Sequence, residues 1–222
     1  MGSPQAWSLR GIHYATGEPV EVVIREGFIL SVSPCDPKDR SALGYIGPGL
    51  VDLQINGYAG HDFNSLPLSA DLVPEVTAKL WREGVTSYCP TVITNGDREI
   101  GEALRRIAEA CEKNKEIGSC IAGIHLEGPF ITPEDGPRGA HDRKFVKPPD
   151  WELFQRWQEA AGGRIAIVTL SPEWDSAASF IERCVDSGVA VSIGHTAAAP
   201  EQIREAVRAG ASLSTHLAMG LI

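Results

Sequence analysis

Residues 164–216 read RIAIVTLSPEWDSAASFIERCVDSGVAVSIGHTAAAPEQIREAVRAGASLSTH. Arg164 to Leu170 is rich in Ile and Val, which suits a buried strand. Ser176 to Ser187 has helical character and stops at Gly188. Val189 to Ile193 is a second strand, running into Gly194-His195-Thr196. Pro200 suits a first helical turn, where its missing N–H would have had no partner. Glu201 to Ala209 continues that helix to Gly210, and Ser212 to His216 is a third strand. Strict alternation of strand and helix implies parallel βαβ units.

The same grammar extends toward the N-terminus. Gly49 to Gln54 is a short apolar run, followed by a glycine-rich loop and a helical stretch from about Ser69 to Glu83. Gly84 to Cys89 reads as a strand, and Ile121 to His125 as another. Between them Asp97 is expected to cap a helix whose apolar positions are Ile100, Ala103, Leu104, Ile107, Ala108 and Cys111. Those positions follow the i, i+3, i+4, i+7 series of an amphipathic helix. Trp151, Phe154 and Trp157 sit at helical spacing and are expected in the core. Six strands thus alternate with helices, which fits a doubly wound open sheet or a (β/α)₈ barrel. Six units are two short of a barrel, and the chain stops at Ile222, just past a strand end. The expected fold class is therefore α/β, a (β/α)₈ TIM barrel truncated after about six units, over residues 47–222. Ahead of it, residues 1–46 read as part of a small β domain. There, Val20 to Ile24 and Phe28 to Val32 flank Glu26-Gly27 as a hairpin.

Composition narrows the function classes. The 222-residue chain is 43 % hydrophobic and 22 % charged, an ordinary globular balance. Its formal net charge of -9 argues against a nucleic-acid footprint. No apolar run reaches the length of a membrane span, so neither nucleic acid nor membrane is an expected partner. The five cysteines form no C-x-x-C pair and read as thiols of a reducing compartment, which points to a cytoplasmic location. The sequence contains no Walker A loop, no G-x-G-x-x-G after a strand and no G-x-S-x-G elbow.

In either architecture, functional groups gather at the carboxyl ends of the strands. Those ends carry Gln54-Ile55-Asn56, His125-Leu126-Glu127, Gly194-His195-Thr196 and Thr215-His216-Leu217. Glu127, His195 and His216 together supply a carboxylate and two imidazoles, a set suited to a divalent metal with an open position for water. His125, two residues before Glu127, shares its face of the strand and is either a ligand or a packed neighbour. His141 follows Gly139-Ala140 in a loop. His13 and His61 have no supporting context and are expected to be structural or exposed.

The motifs PGLVDLQINGYAGHDFNS, GVTSYCPTVIT, GIHLEGPFI, RGAH, VSIGHTAA and AGASLSTHL occur in this order. Together they closely resemble the N-acetylglucosamine-6-phosphate deacetylases of the amidohydrolase superfamily. The resemblance runs from about Val20 to Leu217, and Gln54-Ile55-Asn56 matches the family's Q-x-N where most amidohydrolases carry H-x-H. It implies a barrel plus a small β domain, and hydrolysis of the acetamide of N-acetylglucosamine 6-phosphate to glucosamine 6-phosphate and acetate. It implies Glu127, His195 and His216 as ligands of Zn²⁺, Fe²⁺ or a similar ion, and Ala140 and His141 as substrate contacts. Gln54, Asn56 and His125 are implied beside the metal or its water. Family members are often dimers, so a homodimer is allowed. The family's acid/base Asp and main phosphate ligands are expected beyond Ile222, so no catalytic acid/base is expected within the chain. The tail Ala218 to Ile222 departs from the family's T-H-L-[FY]-N-A-M. Two other readings are an amidohydrolase with a different amide substrate, disfavoured by Q-x-N, and an inactive metal-binding fragment.

Overall fold

A computed structural model of the chain describes residues 5–36 and 40–217, so the expectation for the tail lies outside the described residues. The chain divides into two compact units, 1–49 and 50–222.

The first unit is a sheet of β1 (Trp7–His13), β2 (Pro19–Arg25), β3 (Phe28–Pro34) and β4 (Tyr45–Ile46) in the order β3-β2-β1-β4. The expected hairpin is β2–β3, with Arg25 opposite Phe28. Its two turn residues, Glu26 and Gly27, have φ of 54° and 80°. Two successive positive φ values give a turn whose twist matches the flanking strands, and glycine supplies one of them without strain. Val20 and Val22 alternate into the small core of this unit. His13 lies on β1, where its Nδ1 accepts from the Thr16 N–H.

The second unit holds β5 (Leu50–Ile55), the short pair β6 (Gly57–Tyr58) and β7 (His61–Asp62), β8 (Val85–Ile93), β9 (Ile124–Glu127), β10 (Ile165–Leu170), β11 (Ala190–Ile193) and β12 (Leu213–Ser214). Its helices are α1 (Leu72–Arg82), α2 (Asp97–Lys113), α3 (Lys115–Cys120), α4 (Trp151–Ala160), α5 (Ala177–Asp186) and α6 (Pro200–Arg208). One six-stranded sheet runs β12-β11-β10-β9-β8-β5, every neighbour parallel. Strand order follows chain order with no reversal. A doubly wound sheet reverses at a switch point; this sheet does not, so the winding is that of a barrel, seen as a half-barrel.

Burial explains the order. On β9, Ile124 and Leu126 are fully buried in the apolar core while His125 and Glu127 alternate with them. All six expected apolar positions of α2 are buried. Phe154 and Trp157 of α4 are buried, Trp151 packs partly buried against the same core, and Phe180 of α5 closes the cluster. Phe130 stands edge-on to Phe180 at 5.2 Å between ring centroids. It thereby anchors the loop that leaves Glu127.

Two local expectations need correction, and one short helix was not expected. Asp97 does not cap α2: Gly96, with extended backbone, holds that position, and Asp97 is the first helical residue. Its carboxylate meets Lys147 and its carbonyl accepts Trp157 Nε1–H at 3.0 Å. The strand expected from Ile121 starts at Ile124; Ile121 makes only an isolated bridge to Tyr88. Between α2 and Ile121 lies α3, capped by the Asn114 side chain accepting from Glu116 N and Ile117 N. The Asn114 cap signal was legible but lay at the foot of the stronger α2 pattern.

Thiol chemistry follows from this packing. Cys35 is half-buried, and the other four cysteines are buried. Burial pushes the thiols of Cys89 and Cys184 up to about 11 and about 12. In the native protein, an aromatic disulfide reagent is expected to label Cys35 first, and the rest only after denaturant. Rapid native labelling of several thiols would contradict the packing described.

Candidate metal centre

The carboxyl ends of β5, β9, β11 and β12 converge on one oxygen atom. Glu127 is 2 % exposed at the end of β9. Its Oε1 receives Gln54 Nε2–H at 2.8 Å. His195 Nε2 and His216 Nε2 each stand 3.1 Å from the same oxygen. Gln54 Nε2 is also 3.4 Å from His216 Nε2. His141, buried in the loop after β9, brings its Nε2 to 3.2 Å from His195 Nε2. Glu127, His141 and His195 offer ligand atoms all within 4.8 Å of one another.

The tautomer of His195 is set by its second nitrogen. Nδ1 lies 3.3 Å from the Pro137 carbonyl. A carbonyl only accepts, so Nδ1 carries the proton and a neutral ring presents a lone pair at Nε2. In that tautomer the lone pair faces the Glu127 carboxylate as two donors of one cation would; with a proton there instead, the same 3.1 Å contact is a hydrogen bond to Glu127.

Backbone geometry holds both imidazoles in place. His195 and His216 have φ of 50° and 57°. Left-handed backbone at a residue with a Cβ costs roughly 1–2 kcal/mol and persists where surrounding contacts enforce it. Gly194 makes the first bend feasible: a Cβ there would lie 2.8 Å from Thr169 Cγ2 and from Thr215 Cβ. Thr132 N donates to the His195 carbonyl at 3.0 Å, tying this bend to the loop that follows Glu127.

His125 is withdrawn from the cluster. Its Nδ1 donates to the Leu53 carbonyl at 3.0 Å, and its Nε2 faces Thr169 Oγ1 at 2.7 Å. The contacts continue from Thr169 Oγ1 to Thr215 Oγ1 at 2.8 Å, and from Thr215 Oγ1 to Ser192 Oγ at 2.6 Å. With Nδ1 as donor, Nε2 accepts from Thr169, which accepts from Thr215, which accepts from Ser192. This chain floors the cluster and satisfies polar groups from five strands.

The remaining expected residues lie elsewhere. Asn56 is exposed, and only its carbonyl is engaged, by Phe63 N at 2.9 Å. Ala140 is exposed beside the buried His141. His61 binds Lys79 Nζ at 2.8 Å and Glu75 Oε2 at 3.3 Å, a tie between a loop and α1. Sequence reasoning missed Thr94, whose Oγ1 meets His141 Nδ1 at 2.7 Å. Its place at the end of β8 was a usable signal. The Pro137 carbonyl carried none, because backbone groups are invisible in residue type.

Comparison with known proteins agrees with the fold. The amidohydrolase family model matches residues 45–220. The chain belongs to the amidohydrolase family. An N-acetylglucosamine-6-phosphate deacetylase of Bacillus subtilis is 37 % identical over 88 % of this chain and 51 % of its own length. One of Danio rerio is 37 % identical over 78 % of this chain and 42 % of its own. A variant deacetylase of Mycobacterium smegmatis, solved in complex with N-acetyl-D-glucosamine-6-phosphate, superposes with a TM-score of 0.82 at 28 % identity. That match covers 98 % of this chain and 56 % of the other. This amidohydrolase chain therefore spans about half the length of the relatives it matches. Among the described residues, no helix is long and apolar enough to cross a membrane.

Electrostatics follow the geometry. Burial raises the pKa of the Glu127 carboxyl, but the His195 hydrogen bond and the surrounding imidazoles bring it down to about 2. Burial and the neighbouring His195 lower His141 to about 4, against a partly opposing pull from Glu127. Burial likewise lowers His125. A histidine with depressed folded pKa protonates first in the unfolded chain, so acid favours unfolding. Chelator-treated protein should lose thermal stability as pH falls from about 6.5 toward 4. His141→Asn should flatten that slope, shifting the midpoint by a few degrees less across the window. An unchanged slope in the variant would show that His141 titrates normally.

Proposed function

We propose that this chain forms the metal-binding part of a deacetylase acting on N-acetylglucosamine 6-phosphate. The observation that carries the reading is the His195 Nε2 lone pair, fixed by the Pro137 carbonyl, facing a buried Glu127 oxygen that His216 Nε2 also faces. The donor set fits a divalent ion: one carboxylate and two imidazoles, with spacings of 3.1 Å such as ligands at roughly 2.0–2.2 Å from a shared ion can have. Glu127, His195 and His216 would hold it, Zn²⁺ or Fe²⁺ on the family resemblance. Such an ion, when bound, activates water and polarises the amide carbonyl.

The chain's own residues supply the rest of the site. Gln54 holds the Glu127 oxygen in one orientation through its 2.8 Å bond. His141, kept largely neutral by burial, is placed to hydrogen-bond a substrate oxygen, with the exposed Ala140 backbone beside it. An open cleft of about 1270 Å³ runs along Gly136, Gly139, His195, Thr196, Ser214 and His216. It is large enough for a phosphorylated sugar. Among the described residues no aspartate enters the cluster, so the group that protonates the leaving amine is assigned outside them. The bacterial and animal relatives named as deacetylases and the sugar-phosphate complex support this substrate. A cytoplasmic location without nucleic-acid or membrane partners belongs to the same reading.

Turnover of N-acetylglucosamine 6-phosphate tests it, with divalent metal present and with or without the complementary segment of a full-length relative. Acetate release is expected in the supplemented arm, and Glu127→Gln or His195→Asn should lower it by at least about 10²-fold. Hydrolysis of other acetamides but not this one would overturn the substrate. Full activity in His216→Asn would overturn the ligand set.

A further inference from the structure

β10 is the one strand between two ligand-bearing strands that gives the cluster no donor of its own. Its exit, Ser171-Pro172-Glu173-Trp174, nevertheless grips the loops on both sides. Ser171 N donates to the Phe130 carbonyl at 2.9 Å, and Trp174 Nε1–H to the Ile131 carbonyl at 3.2 Å. Those bonds hold the loop leaving Glu127. On the other side, Glu173 Oε2 receives the Thr196 hydroxyl and Oε1 receives Ala197 N–H, each at 2.7 Å.

We infer that Glu173 is a positioning residue for His195: its half-buried carboxylate clamps the two residues after the left-handed bend and so fixes where His195 Nε2 points. The inference rests on the metal-centre reading above. The two bonds are short and charge-assisted, and they use both carboxylate oxygens. They do not serve helix capping, since α6 begins at Pro200 and the Ala199 N–H is met by Gln202 Oε1 at 2.8 Å. The bend needs this restraint. His195 at φ 50° is disfavoured and is held upstream by Gly194 N donating to the Leu170 carbonyl at 3.1 Å. Downstream, the Thr132 N–H holds the His195 carbonyl at 3.0 Å, and the next two residues are held by Glu173. Without it, Thr196 and Ala197 can relax the bend and swing the imidazole off the Glu127 oxygen.

The test is Co²⁺ titration of the purified protein, read by its visible absorption bands. Glu173→Ala should weaken Co²⁺ binding by about 10- to 100-fold and alter the band pattern, the loss typical of groups that orient metal ligands. Glu173→Gln keeps an acceptor for Ala197 N–H and a donor for the Thr196 oxygen, and should restore most of the affinity. Thr196→Val removes one of the two bonds at constant shape, together with the acceptor of Ala198 N–H at 3.0 Å, while Thr196→Ser keeps both; an intermediate loss in the first and none in the second carry the test if Glu173→Ala does not fold. Asp175→Ala, on the same loop but exposed and unbonded among the described residues, should bind as the unmutated protein does. Unchanged affinity and bands in Glu173→Ala or, failing that, Thr196→Val overturn the inference. So does an equal loss in Glu173→Gln and Glu173→Ala, which would mean that charge acts rather than the clamp. No Co²⁺ binding by the unmutated protein overturns the metal-centre reading, and this inference with it.

Discussion

A carboxylate at 2 % exposure is the demand around which the second unit is organised. An ionised group buried without partners costs several kcal/mol or more. Glu127 meets that cost with groups from three other strand ends: the Gln54 amide, which donates to it, and the imidazoles of His195 and His216, which share with it the proton or cation between them. Those groups come from β5, β11 and β12, so the whole sheet must hold register for one oxygen to be satisfied. Pairing of Glu127 with Ile93 on one side and Thr169 on the other fixes that register locally. A slip of one residue would turn Glu127 into the apolar layer occupied by Leu126.

The layer beneath repeats the same logic with neutral groups. Ser192, Thr215, Thr169 and His125 hand hydrogens in one direction to the Leu53 carbonyl. The carbonyl can only accept, which orients every hydroxyl above it. A fully satisfied buried network of this kind discriminates against alternative packings more than it adds net stability. It also bears on the strained histidines. Thr215 sits directly before His216, and Gly194 is wedged between Thr169 and Thr215. The floor of the cluster thus restrains the two left-handed bends that aim its imidazoles.

The sequence made the barrel winding and the gathering of Glu127, His195 and His216 at one place legible for a common reason. Both depend on residue type at strand ends, where apolar runs stop and a polar residue follows. The Glu26-Gly27 turn and the α2 stripe were legible because φ preference and helical period are local properties. Asp97 was misread because the cap position depends on backbone angles at Gly96, not on the best-capping side chain nearby. Asn56, implied beside the metal by the Q-x-N resemblance, is exposed, and its carbonyl holds Phe63 N. Glu173 and Pro137 escaped notice because they act through hydrogen bonds to backbone or to a neighbour far along the chain.

His125 on β9 and His195 after β11 show how the same residue type is assigned opposite tasks. His125 shares the inward face with Glu127, and its ring is as capable a ligand as that of His195. What separates them is the state of the second nitrogen. In His195 one nitrogen is tied to a carbonyl and the other faces open toward the carboxylate. In His125 both are occupied, by Leu53 O and Thr169 Oγ1. On the proposed reading this occupation keeps His125 out of the donor set, while Glu127, His141 and His195 bring ligand atoms within 4.8 Å of one another. The hydroxyl chain under the site therefore does more than fill space: by consuming both nitrogens of His125, it keeps that imidazole out of the cluster around Glu127.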